Sequence, residues 1–376
     1  MSLNAATVQL SEAHSPEHAA STTNSFTFQD LPLAELSAEM RARIAEFRFP
    51  SWFGSLGFCE YYAYPPVQSV AFCRNPSGEI QDVVFFNERK WAGLFKEMEI
   101  VGPVNPESEL LLKLRTKHQP DLFKLSLQSA STFPEKINDS ILIEVRRVNE
   151  DYRIDLPSTP EEYLQQLGKQ TRKHLPYYLR RLQREAQKNF IIQAATGERI
   201  SRQSFIDLLE LNQLRMRSKG RETLWTRETK LHRWPLIQKT GLFFGLELGG
   251  KLVGGSLSFL HGSEAFLITI AHDPQYDRWN LGNLCLWQTI EHLIHIDCRV
   301  FHLLWGTSFY KAQFGGQLAP IYRATYARNT RVASAWRLWS LLKIEAAASL
   351  PQKITRRLRG YWVPIREYLS DGRQGS

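Results

Sequence analysis

Residues 242–273 read LFFGLELGGKLVGGSLSFLHGSEAFLITIAHD, and this stretch decides the fold. It holds three apolar runs of seven, ten and ten residues, separated by the turn signals Gly249-Gly250 and His261-Gly262-Ser263. Short apolar runs joined by glycine turns are typical of antiparallel strands. Asp273-Pro274 ends the last run, because proline cannot donate a hydrogen bond to a neighbouring strand. The stretch therefore predicts a three-stranded antiparallel meander.

A helix and a further strand follow the meander. The glycine-bearing loop QYDRWNLGN leads into the apolar segment LCLWQTIEHLIHI, which predicts a helix over residues 284–296. The run VFHLLWG predicts a strand over residues 300–306, parallel to the last strand of the meander. A brief helix is predicted within residues 307–316, and a final pair of strands near residues 321–329.

The residues before the meander extend the pattern. The segment NFIIQAAT predicts a strand over residues 189–196, and Ser201 is placed as the N-cap of a helix. Another helix is predicted from Thr226 to Lys239, bent at Pro235. Residues 189–330 therefore predict the element order β-α-α-β-β-β-α-β-α-β.

The length of 376 residues suits two domains. We predict a disordered tail over residues 1–24, because this stretch is polar and rich in Ser, Thr and Ala. A first domain is predicted over residues 25–158 and a second over residues 159–330. Residues 331–376 are predicted to form a basic helical extension.

Positive charge is concentrated in two segments. The formal net charge is +9, from 47 Lys and Arg against 38 Asp and Glu. Residues 169–188 hold seven Lys and Arg against one Glu, and residues 323–373 hold eleven against three acids. Three explanations fit such segments: they are solvated helix faces, they bind a small molecule that carries phosphate, or they contact an anionic membrane surface. Nucleic-acid motifs such as zinc-finger spacing and basic-leucine heptads are absent from the sequence.

Several classes of protein are excluded by missing motifs. The sequence has no apolar run of about 18 residues that would cross a membrane, and its N-terminus lacks the pattern of a secretory signal. We therefore expect a cytoplasmic protein. The order Glu291-His292-x-x-His295 does not match the H-E-x-x-H zinc motif, and neither a G-x-S-x-G elbow nor a phosphate-binding P-loop occurs. No metal site is predicted.

The element order and three motifs resemble the GNAT acyltransferase superfamily. The motifs are RKHLPYYLRRLQRE at residues 172–185, the loop and helix from Asp273 to Leu284, and Trp305-Gly306 followed by Phe309-Tyr310-Lys311-x-x-Phe314-Gly315. More narrowly, the sequence is similar to the cellulose- and exopolysaccharide-biosynthesis acetyltransferases, a branch related to the FemAB-type aminoacyl ligases. The resemblance implies an α/β protein with a tandem GNAT-like (acyl-CoA N-acyltransferase) fold, in which helices flank a mixed central sheet. It also implies a degenerate N-terminal half and a catalytic C-terminal half.

The resemblance implies acetyl-CoA or another acyl-CoA as co-substrate. Its pyrophosphate needs backbone N–H donors at a helix N-terminus, where the helix dipole also favours an anion. The residues placed there are Arg278, Leu281, Gly282, Asn283 and Leu284, although the spacing Arg-x-x-x-Gly-Asn is one position longer than in the superfamily. The fold further implies that the strand over 264–273 diverges from the strand over 300–305. A backbone N–H near Ile270 and Ala271 then faces the thioester oxygen, and Leu303 and Leu304 supply the opposite wall.

Four residues are candidates for catalysis. Tyr310 follows the strand at 300–305, where GNAT enzymes commonly place a tyrosine that protonates the leaving sulfur. Lys311 beside it can supply positive charge to an oxyanion or to a substrate phosphate, as the FemAB-like resemblance implies. His272 and Asp273, at the end of the central strand, can each take the proton of the attacking amine.

The acceptor is predicted to be a small-molecule amine, such as an amino sugar or a precursor of a polysaccharide or lipid. Arg172 and Lys173 are placed to grip a phosphate on it, since Arg forms forked bonds to phosphate. Two other functions stay open. One is a FemAB-like ligase that uses aminoacyl-tRNA, and the other is a non-catalytic accessory of polysaccharide synthesis. Peripheral membrane contact through the C-terminal helix also stays open.

Overall fold

The described residues form one sheet of 13 strands. The computed structural model describes residues 26–63, 66–91, 93–129, 133–186, 190–218, 220, 231–306 and 309–349, with backbone alone over 341–349. The predicted tail at 1–24 and the first five residues of the helix predicted from Thr226 to Lys239 lie outside the described residues. The described part of that helix runs over Trp234–Thr240, and Pro235 lies in its first turn rather than at a bend, because a proline at this position needs no N–H bond.

The strands are β1 Thr27–Pro32, β2 Ser69–Arg74, β3 Ile80–Trp91, β4 Phe95–Val101, β5 Leu122–Gln128, β6 Lys136–Ile137, β7 Ser140–Asp155, β8 Phe190–Thr196, β9 Gly241–Leu248, β10 Lys251–His261, β11 Glu264–His272, β12 Val300–His302 and β13 Gln317–Ala327. The helices are α1 Ala38–Glu46, α2 Leu56–Tyr61, α3 Glu109–His118, α4 Pro160–Gln166, α5 Lys169–Ala186, α6 Arg202–Ser218, α7 Trp234–Thr240, α8 Leu281–His295, α9 Phe309–Gln313 and α10 Thr330–Ser349.

The chain repeats one arrangement of elements. In the first half, β1 to β4 are antiparallel neighbours, α1 and α2 lie between β1 and β2, and α3 connects β4 to the parallel strand β5. In the second half, β8 to β11 are antiparallel neighbours, α6 and α7 lie between β8 and β9, and α8 connects β11 to the parallel strand β12. The predicted order of elements over residues 189–330 is confirmed.

The two halves exchange their last strands at the centre of the sheet. The strand order is β1-β2-β3-β4-β5-β13-β7-β12-β11-β10-β9-β8, with β6 paired to β7. Thus β13, from the end of the second half, pairs with β5 of the first half. Strand β7, from the end of the first half, pairs with β12 of the second. The α/β class and the mixed sheet flanked by helices are confirmed, and the predicted domain boundaries stay predictions.

Apolar side chains pack on both faces of the second half. On one face, α6 and α7 join α1 and α2 of the first half around Trp52, Phe205 and Phe259. On the opposite face, α8 packs with α4 and α5 around Trp279 and Phe301. We call these the α6 face and the α8 face. Burial of these large side chains away from water is the main force that holds the helices on the sheet.

Three predictions of element bounds were wrong. The strand expected over 300–306 is only Val300–His302, because the backbone turns to a positive φ at Leu304. The helix expected to begin at residue 284 begins at Leu281, so Gly282 lies in its first turn. The pair of strands expected near 321–329 is the single strand β13, in which Arg323 and Thr325 continue one alternation without a turn.

Candidate active site

A gap opens in the sheet between β11 and β12. These parallel strands pair only over Glu264–Phe266 and Val300–His302, and β11 then continues to His272 with no described strand on that edge. In the first half, the corresponding strands pair over Glu97–Val101 and Leu122–Ser126, up to the last residue of β4. The predicted divergence is therefore present in the second half and absent from the first. We call the gap between residues 267–272 and residues 303–306 the slot.

Side chains from distant parts of the chain fix the point of divergence. Leu304 has a φ of +54°, which is rare for a leucine and needs support from its surroundings. Asp151 Oδ1 accepts a hydrogen bond from the Leu304 N–H at 2.8 Å. Lys311 Nζ donates to the carbonyl oxygens of Leu304 at 2.8 Å and Trp305 at 2.6 Å. We call Asp151, His302 and Lys311 the Leu304 clamp.

The charges of the Leu304 clamp are buried and paired. His302 Nδ1 lies 2.5 Å from Asp151 Oδ2, and its ring stacks on Phe266 with centroids 4.3 Å apart. Burial lowers the pKa of His302, but Asp151 and Glu264 outweigh it and raise this pKa to about 9. His302 Nε2 is 3.5 Å from Glu264, too far for a good hydrogen bond, so Asp151 is the main partner. Burial lowers the pKa of Lys311 to about 8, against the opposing charges of Asp151 and Glu150.

The pH dependence of stability should report the pairing of His302. Because its pKa is raised from 6.5 to about 9 in the folded protein, its contribution is complete below pH 6.5 and is lost as the pH rises through 9. We expect the free energy of unfolding to fall by on the order of 1 kcal/mol per pH unit between pH 6.5 and 8. The pKa of Lys311 is lowered from 10.5 to about 8 in the folded protein, so above pH 8 its deprotonation makes the free energy of unfolding rise with pH.

Urea unfolding of the wild type and of His302→Phe at several values between pH 6.5 and 8 measures this slope. The phenyl ring keeps the stacking on Phe266 but does not titrate. The variant should lose the descending slope, whereas equal slopes in both proteins would contradict the assignment.

One edge of β11 presents backbone groups to the slot. The Asp273 N–H donates to the Val253 carbonyl of β10 at 2.8 Å. Because backbone direction alternates along a strand, the Ala271 N–H also faces β10, whereas the Ile270 N–H faces the slot. An extra residue, Ile268, bulges from β11 between the pairs Leu257–Thr269 and Ser258–Leu267. Bulges of this kind re-aim a strand beside active sites.

The N-terminus of α8 is suited to an anion. Its N-cap Asn280 makes no side-chain capping bond, and its first turn holds no acidic residue. The corresponding helix of the first half, α3, is capped by Ser108 and has Glu109 in its first turn. Unpaired N–H groups and the helix dipole favour an anion at such an end. This end of α8 therefore has free donors that α3 lacks.

His272, at the end of β11 beside the slot, contacts the first turn of α8. A Cβ atom placed on Gly282 would lie 3.1 Å from His272 Nδ1, so the ring packs directly on this glycine. His272 Nε2 lies 2.8 Å from a carboxylate oxygen of Asp277. The absence of a side chain at position 282 is thus what lets the imidazole lie against the first turn of α8.

The basic helix α5 braces the loop before α8. Trp279 Nε1 donates to Glu185 at 2.7 Å, and the same carboxylate accepts a bond from Arg181 Nε at 2.7 Å. Arg181 also donates to the Arg278 carbonyl at 3.3 Å, and the Arg278 guanidinium lies 4.5 Å from the centre of the Trp279 ring. The loop that leads to Gly282 is therefore held by α5.

Comparison with known proteins agrees with this geometry. Residues 169–312 match the family model described as an acetyltransferase (GNAT) domain. The second half carries a GNAT-type acyltransferase domain. A comparison of the sequence with curated proteins gives no match.

Some solved structures resemble about three quarters or more of the chain. The crystal structure of FemX has a TM-score of 0.54 and 10% identity, over 76% of this chain and 94% of that one. A conserved protein of unknown function from Bacteroides thetaiotaomicron has a TM-score of 0.49 and 14% identity, over 81% and 99%. A tandem GNAT protein from the clavulanic acid biosynthesis pathway has a TM-score of 0.41 and 10% identity, over 81% and 99%. Of these likenesses, that to FemX bears on this chain, and it bears on the fold alone.

The GNAT-type domain brings several predicted residues to the slot. His272, Ile270 and Gly282 lie at its β11 side, with Asn283 half-buried beside them. Leu303 and Leu304 form the other side. Tyr310 is half-buried on α9 and packs against the core of the α8 face.

Other predicted residues have different surroundings. Asp273 is 2% exposed and caps the turn at Gln275 on the β10 side of the strand, so its placement does not support a role as base. Lys311 is 3% exposed and donates to two carbonyl oxygens, so the structure gives it a structural role rather than an exposed charge for a phosphate. The Ala271 N–H faces β10. The side chains of Leu281 and Leu284 are buried in the core, so only their backbone can contact a ligand.

The residues predicted to grip the acceptor lie on the surface of α5. Arg172 and Lys173 are exposed, and they lie eight or nine residues, or about 13 Å along a helix axis, before Arg181. Their role in gripping the acceptor stays a prediction. The described residues include no group of three His, Cys, Asp or Glu side chains arranged to hold a metal ion. Among the described helices, none has both the length and the apolar character needed to cross a bilayer.

Four residues that support the site were not among the predicted site residues: Asp151, His302, Arg181 and Glu185. Asp151 acts on a residue 153 positions further along the chain, and no local pattern signals such a contact. Glu185 was detectable in part, because it is the single acid in a strongly basic helix.

Proposed function

We propose that this protein is an N-acyltransferase that moves an acyl group, acetyl in the simplest case, from acyl-CoA to an amine. The single observation that supports this most is the slot, which opens between β11 and β12 but is closed between β4 and β5. An unpaired strand edge can bind an extended amide chain as a further strand would. The pantetheine arm of CoA is such a chain, and the free N-terminus of α8 lies where its pyrophosphate would bind.

The residues around the slot suggest how the transfer proceeds. The amine attacks the thioester carbonyl, a C–N bond forms, and the C–S bond breaks to release CoA as a thiol. The Ile270 N–H stabilises the tetrahedral oxyanion, and His272, held by Asp277, takes the proton of the amine. The Tyr310 hydroxyl protonates the departing sulfur. We propose an amino sugar or a precursor of a polysaccharide or lipid as the acceptor.

Isothermal titration of the full chain with acetyl-CoA tests the proposal. We expect one site per chain and competition by free CoA, since both carry the pyrophosphate and the pantetheine arm. Absence of heat with acetyl-CoA and with longer acyl-CoA thioesters would exclude an acyl-CoA-dependent transferase and leave the aminoacyl-tRNA ligase and the non-catalytic accessory.

Tyr310→Phe should lower turnover without weakening substrate binding. The hydroxyl acts only when the sulfur leaves, so kcat should fall by about 100-fold while KM changes little. Steady-state release of CoA, followed with a thiol reagent, gives both constants. Phe309→Leu is the matched control, because Phe309 is the exposed neighbour on the same helix. Unchanged turnover in Tyr310→Phe would exclude the hydroxyl from the reaction.

The surface of α5 favours one second candidate, a ligase that uses aminoacyl-tRNA. Lys169, Lys173, Arg180 and Arg184 are all exposed at helical spacing, and Tyr177, 49% exposed, lies in the same row. Such a row follows a phosphate backbone, and the tyrosine can stack on a base. Binding of tRNA should then weaken with salt at a log–log slope of about −3 to −4 for four phosphate contacts. A slope near zero, or no binding, would exclude this candidate.

A further inference from the structure

Two arginines lie side by side on the exchanged central strands. Arg146 of β7 is the direct cross-strand partner of Arg323 of β13. Like charges at such positions repel each other, so the pair needs negative charge nearby. Residues 144–147 are all exposed although β7 lies in the middle of the sheet. Because side chains alternate between the two faces of a strand, both faces of the sheet are open to solvent here, and Arg146 and Arg323 share one of them.

Arg323 is already neutralised from the first half. Its guanidinium lies 2.9 Å from Glu99, and its Nε donates to Ser126 Oγ at 2.9 Å. Ser126 in turn donates to Glu99 at 2.5 Å. Burial raises the pKa of Glu99, but Arg323 and Ser126 outweigh it and lower this pKa. The negative charge of Glu99 is therefore paired with Arg323.

Arg146 has no such partner among the described residues, within which it makes no ion pair. Glu144 is the nearest acid on the same face of β7, two residues away, and no ion pair joins the two. The side chain of Arg146 is exposed. An arginine held beside a second, fixed arginine offers forked donors of the kind that bind a phosphate or a carboxylate.

The register of the strands places Arg146 at the open end of the slot. Strand β12 pairs with β7 over Arg153–Asp155, and Leu303 and Leu304 still bond to Tyr152 and Asp151, so this edge of β7 opens only beyond Asp151, towards Arg146. Arg146 is five residues from Asp151, which fixes Leu304, and this corresponds to about 16 Å along a strand.

Arg146 also lies on the face opposite α8. Ile321, two residues before Arg323 in β13, packs with Leu304 on the α6 face, so Arg323 and its partner Arg146 belong to that face. An anion bound at Arg146 is therefore separate from one bound at the N-terminus of α8.

We propose that Arg146, supported by Arg323, forms an anion subsite for the acceptor, which carries a phosphate or carboxylate group and enters the slot from the α6 face. The identity of this ligand as the acceptor rests on the proposed function, whereas the existence of the subsite does not. An acceptor bound in this way spans about 16 Å between its anionic group and the point of divergence at Leu304.

Titration of the full chain with methyl phosphate and with acetate, at low ionic strength, tests the subsite. The wild type should bind at least one of the two probes, and the one that binds more tightly identifies the anionic group. Arg146→Gln should weaken that binding by about tenfold or more, because a charge-assisted forked bond is lost. The exposed position of Arg146 leaves folding unaffected.

Arg153→Gln is the matched control, because Arg153 is an exposed arginine of the same strand that is already paired with Asp155 at 2.9 Å. It should bind both probes as the wild type does. The subsite is overturned if the wild type binds neither probe, or if Arg146→Gln and Arg153→Gln bind them equally. Failure of acetyl-CoA to bind, with anion binding intact, would count against the proposed function alone.

Discussion

Asp151→Ala should abolish the binding of acetyl-CoA and lower the free energy of unfolding by about 3–5 kcal/mol, the usual cost of removing one partner of a buried ion pair. The carboxylate holds the Leu304 N–H and the His302 imidazole at once. Without it, a buried cation and a buried N–H lose their partner, and Lys311 alone still holds the Leu304 backbone in its positive φ. We then expect residues 303–306 to pair along β11 and close the slot, as β5 closes on β4 in the first half.

Urea unfolding and titration with acetyl-CoA measure the two effects of Asp151→Ala. Asp155→Ala is the control, because Asp155 is an exposed residue of the same strand that pairs with exposed Arg153, and a surface pair contributes at most about 1 kcal/mol. The loss of stability and of acetyl-CoA binding in Asp151→Asn should be intermediate between those of Asp151→Ala and Asp155→Ala, because the amide oxygen can still accept a hydrogen bond from the Leu304 N–H. A stable Asp151→Ala protein that binds acetyl-CoA normally would show that the Leu304 clamp does not hold the slot open.

Gly282→Leu should weaken the binding of acetyl-CoA by on the order of 100-fold, while the protein stays folded. A side chain at this position meets His272 Nδ1 at 3.1 Å and Cε1 at 3.4 Å, so it must displace the ring and cover the first turn of α8. Loss of one or two bonds from N–H groups to a charged pyrophosphate, at about 1.5–3 kcal/mol each, gives an effect of this size. Stability should change by less than about 1 kcal/mol, because leucine favours a helix more than glycine does.

Gly282→Ala provides the graded comparison. A single methyl group requires His272 to move by only a few tenths of an ångström, so acetyl-CoA binding should weaken far less than in Gly282→Leu. Titration calorimetry on both variants, with melting temperatures as the check on folding, measures the series. Equal affinity in the wild type and Gly282→Leu would place the pyrophosphate elsewhere.

Local patterns in the sequence were sufficient for most of the second half. The meander from Gly241 to His272 follows from apolar runs and glycine turns, each of which acts on neighbouring residues. The N-cap Ser201 was also placed correctly, since a hydroxyl that caps a helix needs only the next three residues.

The supports of the candidate site could not be predicted in the same way. The Leu304 clamp joins β7, β12 and α9, and its central contact spans 153 residues of sequence. Neither the bulge at Ile268 nor the positive φ of Leu304 has a glycine or proline to signal it. The divergence of β11 from β12 was expected because of a family resemblance, and the side chains that produce it are visible only in the folded chain.

The function of the first half was harder to predict from its sequence, for a physical reason. Its strands β4 and β5 stay paired to the end of β4, and α3 carries its own cap and an acidic first turn. It keeps the arrangement of elements but has neither an open edge nor a free helix end. The strand edge and the helix end that form the slot in the second half are therefore closed in the first half, and no local sequence motif marks them.

The exchange of β7 and β13 ties folding to the order in which the ribosome makes the chain. One edge of strand β5 has no strand partner until residues 317–327, which form β13, have left the ribosomal exit tunnel. Nearly two hundred residues of synthesis separate β5 from β13. During that interval the exposed edge of β5 must be kept from pairing with other chains.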